Sequence, residues 1–353
     1  MQTKKTNQKK TALLVKKVLL ILFSKLKFTN SGESPQTYEF LRFVHCINDK
    51  LFFNAGKKEK KENVMRIAVF MGGISSEKEV SVRTGTAILN SLIRQGYDAY
   101  GVTLDKDNLL TAFIENEYDL AYLALHGEYG EDGRIQGLLD IIGKKYTGCS
   151  MISSAVSMDK DLTKKIAQAV GVRTPKSYTR ENLENIDKFP VVVKPSTEGS
   201  TVGLYICHNK EELLDAVEKS GDKDLVIEEF IKGEELTVGV LEGEPLGVLK
   251  ITPKIGLYDY KSKYTAGMTE YEYPAKISEK SYQEAMEYAT IIHNSLKMKG
   301  VSRSDFILKD GELYFLEVNS CPGMTETSLV PKLATLKGYT FDDITRKIVE
   351  KFR

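Results

Sequence analysis

The stretch from Glu312 to Ser328 reads E-L-Y-F-L-E-V-N-S-C-P-G-M-T-E-T-S, and it organises the rest of the chain. Leu313 to Leu316 and Val318 form a short apolar run, the pattern of a buried strand. Glu317 and Asn319 lie two residues apart within it, so both oxygen-bearing side chains leave the strand on one face. Upstream, Asp305 opens a second apolar run, Phe306-Ile307-Leu308, closed by Lys309-Asp310-Gly311. That turn joins antiparallel neighbours, a hairpin that brings Asp305 beside Glu317 and Asn319. Two carboxylates and an amide oxygen, with no Cys or His counted among them, suit a hard cation such as Mg²⁺. Such a cation commonly shares its remaining ligands with substrate phosphates. Taken alone, the same residues also fit an ordinary charged surface hairpin.

At 353 residues the chain can form two or three domains with real cores. Its 41% hydrophobic and 28% charged residues are those of a globular protein. The net charge of +1 hides an asymmetry. Residues 1–64 carry 14 basic and 5 acidic side chains, whereas the remaining 289 carry 36 and 44. The acidic body gives no electrostatic case for binding nucleic acid. Cys46, Cys149, Cys207 and Cys321 are scattered without a CxxC pair, which argues against a disulfide framework and against a zinc site. Reduced thiols in a cytoplasmic protein are expected.

Residues 1–64 are lysine-rich, and the apolar run Val18–Phe23 is far shorter than the roughly 20 residues a bilayer span needs. A basic start before a short apolar core has some look of a signal peptide, but no A-x-A-like cleavage site follows. A basic membrane-surface helix is one reading. The other is an extension outside the fold, with Met65 as a natural start before the strand Ile67–Met71. No stable membrane insertion is expected.

That first strand ends in Gly72-Gly73, followed by a turn into a helix beyond Glu77. Strands at Asp98–Leu104 and Leu120–Leu125 follow, the last leading into His126-Gly127-Glu128-Tyr129-Gly130-Glu131-Asp132-Gly133. The alternation of strand and helix predicts a parallel sheet whose ligands sit at the strand carboxyl ends, where Glu77 and His126 fall. Each residue alone reads equally as a helix-capping carboxylate or a loop histidine. The glycines do not fit G-x-G-x-x-G, so no dinucleotide site is indicated.

Farther on, Met158-Asp159-Lys160 opens a helix to Gly171, with Asp159 favoured at its first turn. Pro190–Pro195 is a strand with Lys194 at its end, and a loop of small residues from Ser196 to Gly203 follows. Its backbone amides and hydroxyls are suited to closing over phosphates with Lys194 behind them, although it is not a Walker A loop. Leu225–Ile231 is a further strand, and Glu235 begins the next. Edge groups near Glu228 suit an adenine, and Glu228 or Glu235 suits ribose hydroxyls; without context they are solvated charges.

Together these stretches resemble D-alanine–D-alanine ligase of the ATP-grasp superfamily from Met65 to about Phe352. The matching stretches, in order, are G-G-I-S-S-E-K-E-V-S at 72–81, L-H-G-E-Y-G-E-D-G at 125–133 and S-M-D-K at 157–160. After them come K-P-S-T-E-G-S-T-V-G at 194–203, Y-D-Y-K-S-K-Y at 258–264, R-S-D-F at 303–306 and E-V-N-S-C-P-G-M-T at 317–325. The resemblance implies an α/β fold: a parallel-sheet, Rossmann-like domain over 65–156, then a two-lobed α+β ATP-grasp domain over 157–353. Its lobes divide as 157–229 and 230–353, and residues 1–64 stand outside.

It further implies that Lys160 and Lys194 touch ATP phosphates beneath a loop containing Glu198 and Thr201. Glu228, Ile231 and Glu235 would hold adenosine. Glu229 stands beside the adenine, where a lysine is common in the family. Asp305, Glu317 and Asn319 would hold two Mg²⁺ or Mn²⁺ ions. Glu77, Ser200 and Tyr264 would form a hydrogen-bonded set around the first D-alanine, with His126 near its carboxylate. Arg303 would steady the transition state, and Ser328 and Leu329 would hold the second D-alanine. The implied activity is ATP-dependent dipeptide formation through an acyl phosphate, for peptidoglycan precursors, by a cytoplasmic homodimer with a lid over Asp259–Met268. The rival readings are a D-alanine–D-lactate enzyme, a nucleotide-binding protein without catalysis, and a form recruited to membranes by the basic segment.

Overall fold

The computed structural model describes residues 65–199, 203–254 and 268–352, and the chain separates into units Met1–Asn63 and Val64–Arg353. Among the described residues, the second unit holds three sheets. The first follows the order β2-β1-β3-β4 and is parallel throughout, with β1 Arg66–Gly72, β2 Asp98–Leu104, β3 Leu120–Leu123 and β4 Lys145–Tyr146. The central strand β1, R-I-A-V-F-M-G, is buried at every position after its first, because helices cover both faces and no alternation survives. Helix α1, Lys78–Arg94, buries Val80, Ile88 and Leu92. The short α2, Thr111–Glu115, places Phe113 against Phe70 with ring centroids 4.3 Å apart.

β3 stops two residues before the expected Leu125. Its neighbour β4 is only two residues long, and the chain must turn into the loop at His126–Gly127. Helices α3 (Arg134–Ile142), α4 (Met151–Met158) and α5 (Lys160–Ala169) follow. Asp159 separates the last two rather than belonging to a helix begun at Met158. Its carboxylate accepts from the amides of Asp161 and Leu162, an N-cap that makes Lys160 the first helical residue.

The second sheet follows β5-β8-β6-β7, antiparallel, with β5 Ser177–Tyr178, β6 Val191–Pro195, β7 Tyr205–Cys207 and β8 Leu225–Glu229, and helix α6 is Lys210–Lys219. Strand β8 ends at Glu229, short of the expected Ile231: the Phe230 amide still donates to the Pro190 carbonyl opposite it, but proline has no N–H to return and the ladder stops there.

The third sheet is five-stranded and antiparallel, β11-β10-β9-β12-β13. Its strands are β9 Glu234–Leu241, β10 Glu244–Pro253, β11 Thr269–Glu272, β12 Val301–Lys309 and β13 Glu312–Asn319. Asp310 and Gly311 both have positive φ, +50° and +82°, so the β12–β13 turn has the hand that matches strand twist. Helix α7, Glu279–Ser295, packs Ala285, Ala289 and Ile292 on one face against Phe306 and Phe315. The two phenyl rings meet edge to face at 5.7 Å and are fully buried. Burial of each contributes roughly 1.5–3 kcal/mol. On the other face, α8 (Leu329–Ala334) and α9 (Phe341–Lys351) share one core with the parallel sheet. Among the described residues no helix is long and apolar enough to cross a membrane.

Candidate active site

Strand register assembles the acidic part of the site. β12 and β13 pair Arg303 with Asn319 and Asp305 with Glu317. Residues two apart share a face, so the four polar side chains stand together on one side of the hairpin. A bulge follows immediately, at the step from Asp305 to Phe306, so the apolar pairing beyond it keeps its own register. Asp305 accepts from Arg303 Nε at 3.1 Å and Nη2 at 3.0 Å, and from the Thr237 hydroxyl at 2.5 Å. Thr237 is the residue directly across from Asp305 on β9. Glu317 lies 3.6 Å from the Lys160 ammonium, and Asn319 Oδ1 accepts from the Cys321 amide at 2.8 Å. Arg303 and Lys160 thus balance the two carboxylates here. The donors are all oxygen, a set that fits a hard cation such as Mg²⁺ or Mn²⁺ and not a thiophilic one.

Lysines converge beside this ladder. Lys160 Nζ also donates to the Glu198 carbonyl at 2.6 Å, which ties the first turn of α5 to the small-residue loop. Ser196 reinforces the tie, its hydroxyl donating to Asp159 at 2.6 Å. The Glu198 carboxylate turns instead to Lys223 at 2.6 Å. Lys194, at the end of β6, lies 2.9 Å from Glu228 Oε1, and Lys164 lies 2.5 Å from Oε2. Glu228 is only 2% exposed, so it is no solvated edge charge. Burial opposes its ionised form, but the two ammonium groups outweigh burial and hold its pKa below the usual carboxylate range. For Lys164 burial wins over Glu228 and pushes the pKa down to about 8. Lys194 stays above its ordinary value, because Glu228 and Glu317 overcome the cost of its burial.

The parallel sheet contributes Glu77 and His126. The Ser75 hydroxyl donates to the His126 carbonyl at 2.7 Å, bringing the turn after β1 to the loop after β3. Gly127 has φ +69°, and a Cβ there would fall 3.1 Å from Ser75 Oγ and 3.2 Å from Glu77 Oε2, so any side chain here is strained and presses on both. Glu77 Oε2 also lies 3.9 Å from a Cβ built on Gly199, the residue before Ser200. Glu77 is the N-cap of α1 but makes no side-chain cap bond, and its carboxylate faces the loops. His126 is 5% exposed, with Nε2 3.0 Å from the Thr84 hydroxyl and Nδ1 3.3 Å from Glu131 Oε1. Burial works against its charged form, yet hydrogen bonds to Cys321 and Glu131 leave its pKa well above the ordinary imidazole value.

Ser328 is the N-cap of α8, and its hydroxyl engages the Thr325 hydroxyl at 2.8 Å and accepts from the Thr325 amide at 3.0 Å. Leu329 is buried at the first position of that helix. Glu229 and Glu235 are half-buried and Ile231 is buried. Ser200, Thr201, Tyr264 and nearly all of the Asp259–Met268 segment lie outside the described residues. Sequence reading missed Lys164, Thr237, Thr84 and Glu131. Lys164 was detectable in principle, one helical turn beyond Lys160 on the same face. Thr237 was not, because only the β9–β12 register places it.

The comparisons agree with this arrangement. Residues 159–350 match the family model described as D-ala D-ala ligase C-terminus, and residues 110–149 match the one for its N-terminus. A D-alanine–D-alanine ligase of Fusobacterium nucleatum is 62% identical over 289 residues, covering 82% of this chain and 99% of that protein. The crystal structure of D-alanine–D-alanine ligase from Bacillus anthracis complexed with ATP is similar with a TM-score of 0.70 and 35% identity, over 81% of this chain and 96% of that one. The VanG D-Ala:D-Ser ligase of Enterococcus faecalis is similar with a TM-score of 0.71 at 29% identity, over 82% and 99%. With matches of this extent, and with the acidic ladder, the lysines and the Glu77–His126 loops gathered in one fold, the chain belongs to the D-alanine–D-alanine ligase family.

Proposed function

We propose that this protein joins two D-alanine molecules in an ATP-dependent reaction that passes through an acyl phosphate, supplying dipeptide for peptidoglycan precursors. The observation that carries the reading is the single face of β12–β13 bearing Arg303, Asp305, Glu317 and Asn319, with Lys160 reaching from Glu317 to the loop carbonyl of Glu198. Lys160 and Lys194 meet the ATP phosphates, while Glu228, Glu229, Ile231 and Glu235 line the adenosine end. Asp305, Glu317 and Asn319 would hold two Mg²⁺ or Mn²⁺ ions, which would supply charge neutralisation at the phosphates. Arg303 presents its remaining donors to the transferring phosphoryl group, in chemistry governed by positioning and charge. Glu77, with Ser200 and Tyr264, orients the first D-alanine beside His126, and Ser328 and Leu329 receive the second. The 196–203 loop, including Glu198 and Thr201, and the 259–268 lid exclude water that would hydrolyse the acyl phosphate.

Phosphate release from ATP is measured with a panel of D-amino acids that includes D-serine. Release that depends on D-alanine, with D-alanyl-D-alanine as product, is expected. ATP hydrolysis indifferent to D-alanine overturns the reading.

The second substrate is D-alanine rather than D-lactate. Tyr264 presents a neutral hydroxyl where a protonated imidazole would disfavour a cationic amine. With both nucleophiles supplied near pH 7, D-alanyl-D-alanine predominates in the separated products; predominant D-alanyl-D-lactate refutes this role for Tyr264.

The domain limits 65–156 and 157–353, a homodimeric assembly and a cytoplasmic location belong to the same proposal. So does an extension, residues 1–64, that the fold does not need. The first residue of β1 is already satisfied within the body: the Arg66 amide donates to the Asp119 carboxylate and its carbonyl accepts from the Asp119 amide, each at 2.9 Å. A chain beginning at Met65 therefore keeps the melting temperature and turnover of the full chain. A clear fall in melting temperature on truncation shows otherwise.

A further inference from the structure

His126, Glu131 and Cys321 come from two distant parts of the chain, yet one ligand atom from each lies within 4.8 Å of the others. Their chemistry differs from that of the acidic ladder. An imidazole, a thiol and a carboxylate are the donor types of zinc sites that keep a fourth position open, whereas the ladder offers oxygen only. Bond lengths of about 2.0 Å to nitrogen and oxygen and 2.3 Å to sulfur place tetrahedral donors roughly 3.3–3.6 Å apart. The Nδ1–Oε1 separation of 3.3 Å already meets that, and the sulfur has a short distance to close.

The surroundings favour coordination at Nδ1. Nε2 lies 3.0 Å from the Thr84 hydroxyl, a partner that orients the ring and leaves Nδ1 toward Glu131. Thr84 is itself held, accepting from the Met324 amide at 3.4 Å in the loop that follows Cys321. Glu131 Oε2 accepts from the Gly127 amide at 3.1 Å, which leaves Oε1 toward the histidine. Cys321 and Glu131 are half-buried, and His126 is buried beside them.

We propose that His126, Glu131 and Cys321 form a second cation site, selective for thiophilic divalent ions of the Zn²⁺ or Cd²⁺ type. The ion is bound by Nδ1, a carboxylate oxygen and the thiolate, with the protons of thiol and ring released to solvent on binding. Occupancy withdraws His126 from the first D-alanine and inhibits turnover; that consequence rests on the function proposed above, but the binding does not.

The test is titration of the full chain with Cd²⁺ at saturating Mg²⁺, following the ultraviolet thiolate-to-cadmium absorption. One equivalent per chain is expected. The signal disappears in Cys321→Ser, and Glu131→Gln weakens binding at least about tenfold, as losing even an outer partner does at such sites. No absorption in the parent chain, or an unchanged one in Cys321→Ser, overturns the proposal. In parallel, Cys321→Ser retains Mg²⁺-supported turnover, and its half-inhibiting Cd²⁺ concentration rises at least tenfold; equal inhibition of both proteins places the ion elsewhere and overturns the inhibitory site. If neither protein consumes ATP with D-alanine, the functional reading fails while the titration still decides the cluster.

Discussion

Replacing Glu317 with glutamine is expected to abolish dipeptide synthesis while leaving the fold intact. Glutamine keeps the volume and one oxygen but removes the charge. Glu317 stands directly across from Asp305 and 3.6 Å from Lys160, where the acidic ladder meets the lysine side of the site. It is one of the residues that would hold the cations, and its loss would remove charge stabilisation from the transferring phosphoryl group. Such a loss is on the order of 4 kcal/mol, or about a thousandfold in rate. The side chain is not part of the apolar core, and its neighbours Phe315 and Val318 are unaffected. Phosphate release and the far-ultraviolet spectrum should therefore separate. Near-normal turnover with ordinary Mg²⁺ dependence sinks the assignment.

Glu228→Gln should act on stability first. The carboxylate is buried between Lys164 and Lys194, and removing one partner of a buried ion group leaves charge uncompensated, at a cost of about 3–5 kcal/mol. The lower end is expected, since Lys164, already at about 8, can shed its proton. The pH dependence has a definite sign. Glu228 has a depressed folded-state pKa, so its contribution is present above the ordinary carboxylate range and lost as pH falls through its own lowered value. The gap between parent and variant in urea unfolding should therefore shrink in acid as Glu228 is protonated, and should narrow again above about pH 8, where Lys164 in the parent gives up the charge that Glu228 compensates. Adding Lys164→Met to Glu228→Gln should recover part of the loss. An unchanged midpoint in the single variant refutes the account.

Much of the site was legible in the sequence because it depends on local rules. The two-residue spacing of Glu317 and Asn319 fixed their common face, and Lys309-Asp310-Gly311 fixed the hairpin that sets Asp305 opposite Glu317. The apolar run after Met65 likewise announced a buried parallel strand, and the order of strands and helices announced the sheet around it. Strand ends were less secure: β3 and β8 each stop two residues early, where a short neighbour or a proline without an N–H ends the pairing.

What the sequence could not determine was every contact set by packing between distant segments. Glu228 read as a solvated charge because nothing near it in sequence shows that Lys164 and Lys194 close over it from a helix and another strand. Cys321 read as a scattered thiol because spacing rules see only neighbours along the chain. Cys321 meets His126 and Glu131 nearly two hundred residues away, through the tertiary fold. Backbone periodicity is encoded in a few consecutive residues, whereas the partner of a buried charge is chosen by the whole core that excludes water around it.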